Sequence, residues 1–192
     1  MGRCSYLTYR TYDRQHIGKG VLVPLMPHEV TRLREHAQQV RDNAALLGAK
    51  HRHAWNPNSE EEQRRQLVGW VGELALAKHL GVPYDFATDY DRTRHDVAGV
   101  EVRSTEHFDG HLITYPDDKS APFVLALVHR ISFYKFDVVL AGWIDLADAN
   151  VPAHWRTNMR APAYFTPQAA LHPMSTLPRT TAKRGSNLWH GN

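Results

Sequence analysis

Phe123-Val124-Leu125-Ala126-Leu127-Val128 is an unbroken apolar run. A strand with one wet face alternates apolar and polar residues, so a strand with no polar face must be covered on both sides. Val138-Val139-Leu140-Ala141-Gly142-Trp143-Ile144, within 137–145, repeats the pattern. Two such strands demand a layer above and a layer below, and an α/β chain with a central mixed β-sheet flanked by helices is the expected class. At 192 residues, 42% of them hydrophobic, the chain can build one domain with a substantial core. The expected organisation is a single domain over 1–178, with its core at about 59–150. A helix over 27–47 packs on that core, and 179–192 form a flexible basic tail.

The segment from Gln66 to Gly81 predicts a helix. Ser59 with Glu62 three residues on is a capping-box pattern, and Gly81 with Pro83 is a stop signal. From Leu67 to Leu80 the helix is apolar nearly all round, so it should be buried. Gly69 and Gly72 weaken it by roughly 1 kcal/mol each relative to Ala, a sign of close approach by another backbone. Glu73 is the anomaly, because a carboxylate in a buried helix needs a partner. A metal ion or Arg103 would supply one.

His95-Asp96-Val97-Ala98-Gly99-Val100-Glu101-Val102-Arg103-Ser104 reads as a tight hairpin turning at Ala98-Gly99. In that register Asp96 lies opposite Glu101, with Cβ atoms roughly 5 Å apart. Carboxylates that close repel unless a cation or a shared proton lies between them, and an oxygen-only pair suits Mg²⁺. Period two along a strand puts Arg103 on the face of Glu101. The plainer reading of Glu101 and Arg103 is an ordinary surface pair on an open hairpin face.

A helix acid at Glu73, then Asp96, then Glu101-Val102-Arg103 resembles the PD-(D/E)XK superfamily of restriction-endonuclease-like nucleases. The likeness covers Gln66 to Ile144. Asp-Val-Ala-Gly-Val-Glu-Val-Arg-Ser-Thr, with Gly142-Trp143-Ile144 and Pro162-Ala163-Tyr164-Phe165 later, is also similar to small proteins common in phage genomes. The resemblance implies a helix, a meander of strands, a further helix and a last strand, here with an N-terminal helical extension. It implies Glu73, Asp96 and Glu101 as ligands of Mg²⁺ or Mn²⁺, and Arg103 where the family usually has Lys. The implied activity is metal-dependent hydrolysis of DNA phosphodiester bonds, with Glu73, Asp96, Glu101 and Arg103 catalytic. Arg103, Ser104, His111 and Arg94 would contact substrate, and His111 or His107 would carry protons. Arg cannot shed its proton as a desolvated Lys can, so Arg103 would clamp phosphate and not act as a base. That departure makes a weak or inactive nuclease-fold protein, binding nucleic acid or a host protein, the competing reading. A third is structural, with Glu73 and Arg103 as a buried ion pair.

Other features narrow the setting. The single cysteine, Cys4, excludes an internal disulfide and a cysteine-built zinc site. Net charge is only +3, yet 149–192 contains no acid and holds Arg156, Arg160, Arg179, Lys183 and Arg184, which favours phosphate contact. No apolar leader or membrane-length run is present, so a cytoplasmic protein (host cytoplasm if phage-encoded) is expected, with DNA as partner and no membrane. A homodimer is compatible with the chain. His51 and His53 lack a third ligand nearby.

The remaining expectations are local. Strands are expected at Val21–Val23, 82–86 and 111–115. Short helices are expected at 147–155 and 168–171.

Overall fold

The computed structural model describes residues 20–46, 59–86, 95–158 and 161–178. In chain order its elements are β1 (Val21–Leu25), α1 (Pro27–Leu46), α2 (Glu60–Leu80), β2 (Glu101–Thr105), β3 (Leu112–Thr114), β4 (Pro122–Ser132), β5 (Lys135–Asp145), α3 (Leu146–Ala149), β6 (Trp155–Arg156) and β7 (Ala163–Thr166). The long apolar strands β4 and β5 pair antiparallel as a hairpin turning at Phe133 and Tyr134. β1 adds antiparallel to β5 and β2 adds parallel to β4, giving a mixed four-stranded sheet in the order β1-β5-β4-β2. β3, β7 and β6 form a second, three-stranded antiparallel sheet.

Both faces of β4 are buried, as its sequence requires. Val124, Ala126 and Val128 pack with Val30 and Leu33 of α1 and Val71 and Ala75 of α2. Phe123, Leu125 and Leu127 point the other way, toward Leu112, Ile144, Ala149 and Leu171. Among the described residues the two long helices both cover the first face, and on the second only the four-residue α3 contributes. The second face is closed by the small sheet and the C-terminal segment, where helices on both sides were expected. Pro162, Pro167 and Pro173 keep that segment out of continuous helix and leave it extended enough to pair.

Three further departures have local causes. Residues 82–86 form no strand: Val82, Tyr84 and Phe86 anchor on the helix-side core through their side chains, with no ladder partner. The helix expected over 147–155 splits into α3 and a 3₁₀ turn at Pro152–His154, because Pro152 disfavours helical backbone at Val151. No helix joins β2 to β4; residues 106–121 hold only β3. The further helix that the family resemblance implies at that point is absent.

The helix signals held unevenly. α1 begins at Pro27, and Glu29 reaches back to accept the Met26 N–H at 2.7 Å, one half of a capping box. α2 ends with Gly81 in the left-handed region at φ 68°, but Ser59 at its start makes no side-chain cap bond. Among the described residues no helix is long and apolar enough to cross a membrane.

Of the two glycines in α2, one marks a close approach. A Cβ on Gly72 would lie 2.0 Å from Ser104 Oγ, 3.0 Å from Ala126 Cβ and 3.2 Å from Ser104 Cβ. A Cβ on Gly69 would meet nothing within 4 Å. Gly69→Ala is therefore expected to raise stability by up to about 1 kcal/mol through helix propensity. Gly72→Ala is expected to lower it by about 1–3 kcal/mol through overpacking against β2 and β4. Thermal unfolding of the two variants should shift in opposite directions.

Candidate active site at the free edge of the sheet

The site grows from a two-residue turn. Ala98 and Gly99 both have positive φ, 49° and 84°, the signature of a type I′ turn. Val97 and Val100 exchange both backbone hydrogen bonds, at 3.0 and 2.9 Å. Both valine side chains are buried, which pins the turn to the core. The ladder ends with that one pair, so Asp96 does not face Glu101 across a hairpin as the spacing suggests. Instead Asp96 Oδ2 accepts the Val102 N–H at 2.8 Å. Among the described residues β2 is an edge strand, and the carboxylate satisfies a backbone donor that no described strand covers.

Period two then separates the neighbours. Ser104 faces α2, where its Oγ lies 3.5 Å from Gly69 O. Glu101 and Arg103 share the opposite face, with Arg103 Nη1 4.0 Å from Glu101 Oε2. Arg103 is held from several directions. Its Nε donates to Ile113 O at 3.1 Å, its Nη2 donates to Asp118 Oδ1 at 2.9 Å, and its guanidinium lies 5.0 Å from the Phe123 ring centroid. Asp118 also accepts the Tyr115 N–H at 2.8 Å. The expected Glu73–Arg103 pairing does not form: Glu73 accepts the Tyr84 hydroxyl at 2.8 Å, while Arg103 spends its donors on the other face. Glu101 meets His95 Nδ1 at 2.9 Å.

Glu73 thus comes from the helix side of β2 and Glu101 from the other, with Asp96 at the edge between. They are near enough to feel one another. Burial, then the charge of Asp96, then that of Glu101 push the Glu73 carboxyl up to about 8, against the opposing Tyr84 hydrogen bond. Asp96 is also raised, first by burial of its carboxylate and then by Glu101; the Val102 N–H, Arg103 and His95 oppose the rise. Asp96 is an exposed residue whose carboxylate turns against β2, so water still reaches it. Burial and Glu73 keep Tyr84 well above its ordinary range, a neutral donor.

The donor chemistry suits a hard divalent cation: oxygen ligands only, with charge repulsion that a cation would relieve. Among the described residues, however, no three His, Cys, Asp or Glu side chains are gathered closely enough to hold a metal. Like charges splay, and each acid has taken a local donor: the Tyr84 hydroxyl, the Val102 N–H or His95.

Ser104, His111 and Arg103 all line a cavity of about 510 Å³ on this side of the molecule. Arg94 lies outside the described residues, as do His51, His53 and the basic positions 160, 179, 183 and 184. Arg156 is described, and its Nη1 bonds the carbonyls of Ala153 and Trp155. Sequence reasoning missed Tyr84 and His95 as members of the site, and offers Asp117 and Asp118 only as spare metal ligands or, more plainly, a turn. Asp118 reads as half of a turn beside Pro116, and only folding brings it to Arg103. No protein-family model, curated protein or solved structure matches the chain.

Asp118→Ala would leave the half-buried Arg103 guanidinium and the Tyr115 N–H short of an acceptor. Its expected cost is about 1–3 kcal/mol, read as earlier urea unfolding.

Proposed function

We propose that the chain is a nuclease dependent on Mg²⁺ or Mn²⁺ that hydrolyses DNA phosphodiester bonds, with a restriction-endonuclease-like arrangement at the edge of β2. The observation that carries this reading is the coupling of three acids around β2: Glu73 feels the charges of Asp96 and Glu101, Asp96 feels Glu101, and Arg103 stands 4.0 Å from Glu101. Asp96 and Glu101 would hold the ion, with Glu73 completing the set once it gives up its proton. Such an ion lowers the pKa of bound water and neutralises developing charge on phosphate. Arg103 would present its guanidinium to a phosphate oxygen. His95 steadies Glu101. In this reading His111, which lines the same cavity as Arg103, would be the proton carrier.

One observation favours a second reading. Arg103 already has Asp118 as a partner at 2.9 Å, which weakens its hold on phosphate. A protein of this fold that binds nucleic acid without cutting it would retain DNA in a salt-dependent way. The test is incubation of the purified chain with plasmid and single-stranded DNA, with Mg²⁺, with Mn²⁺, and with chelator. Cleavage that chelator abolishes supports the nuclease. Salt-sensitive retention with no cleavage under any condition overturns it in favour of the binding protein.

A further inference from the structure

We infer that the cavity beside Arg103 is a nucleobase pocket, so that the substrate is a nucleic acid strand with an unpaired base. The inference rests on the nuclease reading for its phosphate and names the substrate class of that site. The cavity, about 510 Å³, falls within the range of pockets that take small organic molecules. Its lining includes two aliphatic side chains, Leu125 and Ile113, and four rings, His107, His111, Tyr115 and Phe165. Leu125 is buried, Phe165 is partly covered, and His107, His111 and Tyr115 reach solvent at the rim. The His111 and Phe165 rings stand 6.3 Å apart, inclined at 59°.

A flat aromatic guest suits such a cavity by stacking on one exposed ring face, because every base presents a π-face that stacks on aromatic side chains regardless of sequence. Around the rings lie polar groups able to meet a base edge: the Asp109 carboxylate and the Thr105 hydroxyl. Arg103 belongs both to this lining and to the acid cluster, so a base in the cavity would have its phosphate at the guanidinium, toward Glu101. A base inside a duplex does not reach such a cavity without leaving the stack, which selects single strands, frayed ends or gaps.

The pocket is also built before any ligand arrives. Gln168 Nε2 donates to Phe108 O at 2.9 Å and to Gly110 O at 3.0 Å, tying the 107–110 loop to the segment after β7. Within the loop, the Gly110 N–H bonds His107 O at 3.0 Å and the His107 N–H bonds Thr105 Oγ1 at 3.1 Å. A preformed wall reduces the ordering penalty of binding.

The test is calorimetric titration of the full chain, in chelator, with 5′-deoxyadenylate, deoxyribose 5-phosphate and inorganic phosphate. Deoxyadenylate is expected to bind at least about tenfold more tightly than the sugar phosphate, from one stacked base. His111→Ala, at an exposed position that leaves the fold intact, should remove most of that ratio, and Gln168→Ala should reduce it. Equal affinity for the nucleotide and the sugar phosphate overturns the pocket. So does a ratio unchanged in His111→Ala. Base-dependent binding without cleavage in the DNA assay leaves the pocket standing and the nuclease reading fallen; cleavage without base-dependent binding does the reverse.

Discussion

Asp96→Asn should reduce Mn²⁺-dependent DNA hydrolysis by at least about a hundredfold while the protein stays folded. A carboxylate that holds a divalent cation supports several kcal/mol of charge stabilisation in the transition state, and each ~1.4 kcal/mol is a factor of ten. Asn keeps the shape and keeps an oxygen to accept the Val102 N–H, now made at 2.8 Å, so the edge of β2 remains capped. The melting temperature should stay within about 4 °C of the parent, which is roughly 1 kcal/mol for a chain of this size. The pairing of results matters. A rate near that of the parent would remove Asp96 from the chemistry, and lost activity with early melting would reduce it to an edge cap. Glu101→Gln tests the same claim from the other face of β2.

Glu73→Gln has the second large effect, and it depends on pH. The ordinary carboxyl value is 4.5, and in the fold Glu73 is pushed up to about 8. Below pH 4.5 both folded and unfolded chains hold this proton, and the site is neutral in its effect on stability. Between 4.5 and about 8 the unfolded chain loses the proton while the folded chain keeps it, so stability falls as pH rises. Above about 8 the folded chain loses it too, and the penalty levels off. Because water reaches the edge of the residue, the expected loss is about 2–3 kcal/mol, less than the full shift would give. Gln has no proton to lose, and its amide oxygen still accepts the Tyr84 hydroxyl. Parent and variant should melt together near pH 5 in chelator. At pH 8.5 the variant should melt later by about 5–10 °C. Mn²⁺ at that pH should raise the parent and leave the variant nearly unmoved. A variant that melts far earlier at every pH would instead mean that Glu73 is a structural hydrogen-bond acceptor and no more.

What could be read from the chain follows from how local each cause is. The apolar runs of β4 and β5, the largely apolar 67–80 stretch of α2 and the Val97–Val100 turn are written in neighbouring residues, and each formed, with Val68, Val71 and Leu74 to Ala77 buried in α2. Gly72 was legible as a close approach, and Gly69, of the same kind and three residues away, was not one. The layer on the second face was hidden, because β3 pairs with β7 from a Pro-rich segment about fifty residues later, with no periodicity to announce it. The site divides the same way. Glu73, Asp96, Glu101 and Arg103 were visible as charges in unusual places, but their partners were not. Tyr84 reaches Glu73 only because residues 82–86 lie extended over α2 without a ladder, and Asp118 reaches Arg103 only because the 115–118 turn folds back beside β2. The capping pattern at Ser59 shows the opposite failure, a local signal that the fold leaves unused.

A crystal of the full chain soaked in Mn²⁺ and measured at the manganese absorption edge tests the metal site most directly. An anomalous peak bounded by carboxylate oxygens of Asp96, Glu101 and Glu73 is expected, with Tyr84 released from Glu73. Those three acids without a peak between them, each still on its own donor, would contradict it.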